Sequence, residues 1–220
     1  MHQTIQNLIS IQSSINSKLS ELERQSKIPK IIAVSKTFKL DRILPLINHG
    51  HLDYGENKVQ EAIEKWTNIK NQNKKIKLHL IGKLQTNKVK FAIKIFDYIH
   101  SLDNEKLAKK ISDEQKKHNV KPKIFIQINL GEESQKSGIM KKHLFDFYEF
   151  SKSLDLDIIG TMCIPPFNQD SSNFFSQMSK LNAKINLTEL SMGMSSDYLS
   201  AIEYKSTYLR IGSNIFGKRD

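Results

Sequence analysis

Apolar and polar positions along this chain follow two rhythms that take turns from end to end. Over residues 2–26, Ile5, Leu8, Ile11, Ile15, Leu19 and Leu22 recur at spacings of three and four, the apolar face of an amphipathic helix. Ser26 to Pro29 ends that helix, and the unbroken run Ile31-Ile32-Ala33-Val34 predicts a buried strand reaching to Lys36. A helix over 40–48 leads to a short strand over 51–54, stopped by Gly55-Glu56-Asn57. The alternation then continues: helix 59–69, polar turn 71–75, strand 78–82, helix 87–96, strand 98–101, helix 105–117. Residues 122–129 carry Ile124, Phe125, Ile126 and Ile128, the clearest strand of all, and 131–138 is a polar loop. Helix 141–153, strand 157–162, helix 173–185, strand 188–192, helix 196–204 and strand 208–212 complete the pattern.

Eight strands alternating with helices across short loops predict an α/β fold, a (β/α)8 TIM barrel. One domain is expected over 1–220, with helix 1–26 packed on the barrel. An open doubly wound sheet would call for a G-x-G-x-x-G turn after the first strand, and Ser35-Lys36-Thr37 is not one.

Composition narrows the function more than the fold. A hydrophobic fraction of 38% with 26% charged residues suits a globular protein with a sizeable core. No apolar run approaches the roughly 18–20 residues needed to span a bilayer, and residues 1–26 lack a signal-peptide pattern, so a cytoplasmic location is expected. Cys163 is the only cysteine, which excludes an intramolecular disulfide; with no i, i+4 histidine pair, no zinc site is credible. The net charge of +11 comes from 30 lysines against four arginines. The lysines are scattered in pairs over helix exteriors, so a solvated basic surface is favoured over specific nucleic-acid recognition.

In a barrel the ligand sits at the C-terminal strand ends. Those ends carry Lys36, Asn57, Gly82, Ser101, Asn129, Met162, Ser191 to Ser195 and Arg210 to Ser213. An ammonium at the end of a buried strand is costly unless it snorkels to water or does chemistry. The turn Ser191 to Asp197 runs into a helix with Ser195 or Ser196 as a natural N-cap, and Ile211-Gly212-Ser213-Asn214 follows the last strand. Loops after strands seven and eight are the usual phosphate cradle of this fold. An amine across the barrel mouth from such a cradle suggests a phosphorylated aldehyde held as a Schiff base.

Seven stretches, in order, carry a family likeness: Ala33-Val34-Ser35-Lys36-Thr37, Tyr54-Gly55-Glu56-Asn57, His79 to Lys88, His100-Ser101-Leu102-Asp103, Gly160-Thr161-Met162 with Ile164-Pro165, Ser191-Met192-Gly193-Met194-Ser195, and Arg210-Ile211-Gly212 with Ile215-Phe216-Gly217. Through them the chain resembles the pyridoxal phosphate homeostasis proteins, an alanine-racemase-like barrel family also called proline-synthetase-co-transcribed. The resemblance implies pyridoxal 5'-phosphate bound covalently to Lys36 as an internal aldimine, with Asn57 near the ring. It places Ser191, Met194, Ser195, Gly212 and Ser213 around the phosphate and Arg210 against the pyridine nitrogen. Lys205-Ser206-Thr207 stands where the family writes Gly-Ser-Thr, and Ser213 replaces a threonine.

Several roles stay open at this level. Arg210 is a ring contact or the ion-pair partner of Glu189; Asn57 is a ligand or a helix cap; one of Met162, Met192 and Met194 touches the ring or all are core. His79 and His100 read as core histidines, while His79 to Lys88 could line the mouth or a partner surface. Racemases of this barrel type draw a second base from a C-terminal β-domain of a partner subunit, and this chain ends at Asp220. The expectation is a monomeric carrier that buffers the cofactor and hands it to apo-enzymes; a racemase-like enzyme is the alternative.

Overall fold

The computed structural model describes residues 1–23, 27–133 and 135–218. Eight parallel strands close into a barrel in chain order, β1-β2-β3-β4-β5-β6-β7-β8. They are β1 (Lys30–Val34), β2 (Asp53–Glu56), β3 (Lys77–Leu80), β4 (Tyr98–Leu102), β5 (Lys123–Gln127), β6 (Asp157–Met162), β7 (Glu189–Met194) and β8 (Tyr208–Ile211). Closure is made by β1 against β8, with Lys30 beside Tyr208 and Ile32 beside Arg210.

The first strand shows why such a run reads as continuously apolar. Ile31 and Ala33 face the helices while Ile32 points into the barrel, so both faces are buried. The outer layer comprises α1 (Gln3–Glu21), α2 (Leu40–Asn48), α3 (Val59–Gln72), α4 (Val89–Ile95), α5 (Glu105–His118), α6 (Leu144–Ser153), α7 (Ser171–Lys184), α8 (Tyr198–Glu203) and α9 (Ser213–Phe216). Helix α1 turns Leu8, Ile11, Ile15 and Leu19 inward, against α2, α8 and α9. Asn7 Nδ2 donates to the Ile215 carbonyl at 2.9 Å and pins it there. The expected end of this helix at Ser26 lies outside the described residues.

The barrel interior is built from rings rather than from branched aliphatics alone. Ile32, Tyr98, Phe125, Met162 and Tyr208 form its apolar cluster. His79 stacks on Tyr98 at 4.2 Å between centroids and His100 on Phe125 at 4.3 Å.

Element boundaries differ from the sequence expectation where pairing overrides local signals. Strand β2 occupies 53–56 rather than 51–54, because Gly55 and Glu56 pair with His79 and Leu80. Gly55 is thus a strand residue, and a Cβ there would meet Ile32 Cγ2 at 2.9 Å. The helices expected from 87 and 141 begin as 3-10 turns at Thr86–Lys88 and Lys141–His143. Helix α8 takes Asp197 as its N-cap residue, not Ser195 or Ser196, and Asp197 Oδ1 instead accepts the Met194 N–H at 2.6 Å. The short α9 was not expected. Lys205 adopts φ +66°, so this turn carries a lysine in a left-handed conformation. Among the described residues, no helix is long and apolar enough to cross a membrane and no three metal-ligating side chains cluster.

Candidate functional site

At the C-terminal mouth of the barrel the strand ends surround a cavity of about 820 Å³, within the range of ligand sites. Lys36 lies two residues beyond β1, half-buried on its wall. The turn that presents it is held on both sides. Ser35 donates its N–H to the Gly55 carbonyl at 3.0 Å and its hydroxyl to Glu56 Oε1 at 2.7 Å. The Thr37 N–H donates to Glu61 Oε1 at 2.6 Å. Thr37 itself sits at φ +68°, where a β-branched residue needs such anchoring.

Behind this turn Glu56 is fully buried, and its Oε1 also accepts from Trp66 Nε1 at 2.9 Å and Lys65 Nζ at 3.0 Å. Burial pushes the Glu56 carboxyl above its usual value; Lys65, Trp66 and Ser35 oppose that rise without cancelling it. Lys65 also donates to the Ser35 carbonyl at 2.9 Å, so one buried group of side chains fixes the residue next to Lys36.

Across the mouth, Gly193 at φ +90° lets β7 pass close to α8; a Cβ there would meet Ala201 Cβ at 2.6 Å. That close approach delivers Met194 and Ser195 to the cavity. Ser195 Oγ accepts from the N–H groups of Gly212 and Asn214 at 3.3 and 3.4 Å, and Asn214 Nδ2 donates to the Ser195 carbonyl at 2.9 Å. The loops after β7 and β8 therefore form one unit rich in hydroxyl and N–H donors.

Arg210 on β8 is buried yet reaches the cavity wall. Its Nη1 donates to the Ser191 carbonyl and hydroxyl, each at 2.7 Å, and Nη2 to the Cys163 carbonyl at 2.8 Å. Glu189, the alternative partner, pairs instead with Lys27 at 3.3 Å. Burial lowers the guanidinium pKa, offset in part by Cys163 and Asp197.

Of the nine residues expected at the site, Lys36, Asn57, Met194, Ser195, Arg210, Gly212 and Ser213 line this cavity together. Two do not. Met162 is fully buried in the interior cluster below, because β6 turns that side chain toward Ile32 and Phe125. Ser191 lies one layer down, where its hydroxyl meets His100 and Arg210. Lys58, not Asn57, is the N-cap residue of α3, which leaves Asn57 to the cavity. From the His79 to Lys88 segment, Ile81, Gly82 and Lys83 reach the wall while Leu84 is core. Among the other strand ends Asn129 lines the cavity, but Ser101 is buried away from it.

Sequence reasoning missed Lys136 and Gln135, which come from the 131–138 loop, and Lys218, which follows α9. A polar loop offers no periodicity by which to choose one lysine among 30. Four lysines and Arg210 line the cavity, and none of its described wall residues is Asp, Glu, His, Cys or Tyr. A wall of cations and neutral donors selects an anion. The amine, the hydroxyl and N–H cradle and the fixed guanidinium fit a phosphorylated carbonyl compound.

The chain is similar to known proteins over nearly its whole length. The family model described as the alanine racemase N-terminal domain matches residues 12–220. The pyridoxal phosphate homeostasis protein of Pasteurella multocida is 36% identical, over 98% of this chain and 97% of that protein. The protein of the same name from Aquifex aeolicus is 35% identical, over 89% and 90%. Among solved structures, PipY of Synechococcus elongatus with PLP bound is similar, with a TM-score of 0.80 and 32% identity over 92% of this chain and all of that one.

Proposed function

The chain belongs to the pyridoxal phosphate homeostasis protein family, and from that premise we propose that it binds pyridoxal 5'-phosphate on Lys36 and buffers or delivers it to apo-enzymes. The observation that carries this reading is the sharing of one cation-lined cavity by Lys36, Arg210 and the Ser195–Gly212–Ser213 cradle. When bound, the cofactor supplies an aldehyde that condenses with a primary amine, losing water, and a phosphate that needs an anion cradle. Lys36 provides the amine, presented by the turn that Glu56, Lys65 and Glu61 hold. Ser195, Gly212 and Ser213 would hold the phosphate with hydroxyl and N–H donors. Asn57 would lie near the ring and Met194 beside the phosphate. Arg210 would face the ring nitrogen as a donor and, staying charged, would disfavour protonation there, which would weaken the cofactor as an electron sink.

We infer little or no racemase turnover. Reversing a stereocentre takes a second base on the opposite face, and among the described wall residues the titratable side chains other than Lys36 are Lys83, Lys136, Lys218 and Arg210, with no carboxylate, imidazole or phenol. Borohydride reduction of purified protein and peptide mapping test the proposal. A pyridoxyl adduct on Lys36, absent after Lys36→Ala, is the expected result. An adduct on another lysine refutes the site, and alanine racemisation at ordinary enzyme rates refutes the carrier role.

A further inference from the structure

Beneath the cavity floor a row of polar side chains runs along the inside of the barrel, and nothing in cofactor binding so far uses it. His79 and His100 are fully buried. His79 Nε2 lies 2.9 Å from Asp53 Oδ1, and His79 Nδ1 lies 3.0 Å from His100 Nε2. His100 Nδ1 lies 2.8 Å from Ser191 Oγ, which lies 2.7 Å from Arg210 Nη1. The row starts at Asp53, the first residue of β2 at the N-terminal mouth, and ends on the cavity wall.

Its direction is set by its two ends: a guanidinium has donors and no acceptor, and the ionised Asp53 carboxylate has acceptors and no donor. Ser191 Oγ accepts from Arg210, and its single proton goes to His100 Nδ1. His100 must then carry its proton on Nε2 and donate it to His79 Nδ1. The His79 proton lies on Nε2 in turn and is donated to the Asp53 carboxylate. Every donor meets one acceptor, and no other arrangement of neutral rings does so. A proton added to His79 at Nδ1 would face the N–H of His100.

The surroundings keep both rings neutral. Burial lowers the pKa of His79, opposed by Asp53 and Asp97 and aided by Lys30. Burial lowers His100 further, aided by His79 and Arg210, with no carboxylate against it. Asp53 stays ionised: burial would raise its pKa, but the His79 hydrogen bond, with His79, Lys30 and His51 nearby, brings it below the usual value. The faces of the two imidazoles are closed by Tyr98 and Phe125. Apolar side chains would fill this space without any proton bookkeeping.

On the reading that Arg210 faces the bound ring, we propose that Asp53, His79, His100 and Ser191 are positioning residues for its guanidinium. They form a one-way hydrogen-bond relay that holds Nη1 from behind and links the cofactor site to a carboxylate at the opposite mouth. Rotation of Arg210 away from the ring would leave the buried Ser191 hydroxyl without its donor, which costs enough to keep the guanidinium aimed.

Two measurements test the relay. Long-range ¹H–¹⁵N correlation spectra of the cofactor-free protein should show both rings neutral with the proton on Nε2 between pH 6 and 8. An Nδ1–H tautomer at either ring, or titration of either in that range, overturns the relay whether or not the cofactor binds. The second is a double-mutant cycle on pyridoxal 5'-phosphate affinity, read from the visible absorbance. Asp53→Asn should raise Kd by about 3- to 10-fold in the wild-type background, as the His79 hydrogen bond loses its charge assistance with His79, His100 and Ser191 between it and Arg210. In an Arg210→Lys background, where the fork to Ser191 is gone, the same change should move Kd by less than about 2-fold. Equal effects in both backgrounds, or no effect in either, overturn the positioning role. Absence of cofactor binding in the wild type would instead refute the proposed function and leave the spectra to judge the relay.

Discussion

Truncating Glu56 should expose how much of the Lys36 turn depends on one buried carboxylate. Its Oε1 accepts three hydrogen bonds, from Ser35 Oγ, Trp66 Nε1 and Lys65 Nζ. Glu56→Ala orphans the Trp66 donor, while Ser35 Oγ keeps the Gly55 carbonyl at 3.4 Å and Lys65 keeps Glu61 at 3.0 Å and the Ser35 carbonyl. Breaking a buried pair by removing one partner costs about 3–5 kcal/mol. The retained Lys65 contacts lower that, and the orphaned indole N–H, at about 1–3 kcal/mol, raises it again, so a net loss of about 3–5 kcal/mol is expected. Glu56→Gln keeps an acceptor but puts an amide N–H where Oε2 has no hydrogen-bond partner, and should lose about 1–2 kcal/mol.

The pH dependence separates charge from shape. The Glu56 pKa is raised in the folded state, so the folded protein binds more protons than the unfolded chain between 4.5 and that higher value. Its contribution to stability therefore falls as pH rises through the window. The gap between wild type and Glu56→Gln should narrow as pH climbs from about 4.5, since the opposite contribution of Asp53 is common to both proteins. Urea melts of the cofactor-free proteins at several pH values, with unchanged m-values, give the measurement. A gap that widens with rising pH would show that ion pairing outweighs burial at Glu56 and refute the reasoning.

Three further outcomes follow from particular contacts. Lys205→Gly should raise stability in thermal or urea melts by roughly 0.5–1 kcal/mol, as relief of φ +66° outweighs the added freedom of the unfolded chain. Met162→Ala should cost about 2–5 kcal/mol by leaving a hole among Ile32, Phe125 and Tyr208, yet keep the borohydride adduct on Lys36. In Gly82→Ala the new Cβ would lie 2.8 Å from Asn57 Cα, so about 1–3 kcal/mol should be lost. The cofactor affinity should fall with it, because the backbone that moves carries a cavity residue.

The alternation of elements was legible because each strand of a parallel barrel is buried on both faces and each helix on one. Ile31 to Val34 announces the first, and the spacing from Ile5 to Leu22 announces the second. Lys36, Asn57, Arg210 and the β7–β8 loops were legible for a related reason: the topology sends strand ends to a common mouth, so chain position already implies proximity. Met162 and Ser191 show where that reasoning stops. A strand end is named by sequence, but whether its last side chain enters the cavity or the layer beneath depends on pleat and register, which the closed barrel sets.

Glu56 and Lys65, nine residues apart on a strand and the next helix, bear no local mark of the turn they hold. The histidines make the same point more sharply. Sequence alone placed His79 and His100 in the core, and burial agrees. Only barrel closure brings Asp53, both imidazoles, Ser191 and Arg210 from five different strands into one hydrogen-bonded row. Periodicity records what each segment buries, and so determines the elements; pairing across distant strands decides which polar atoms meet, and in a low-dielectric interior that decides what those atoms can do.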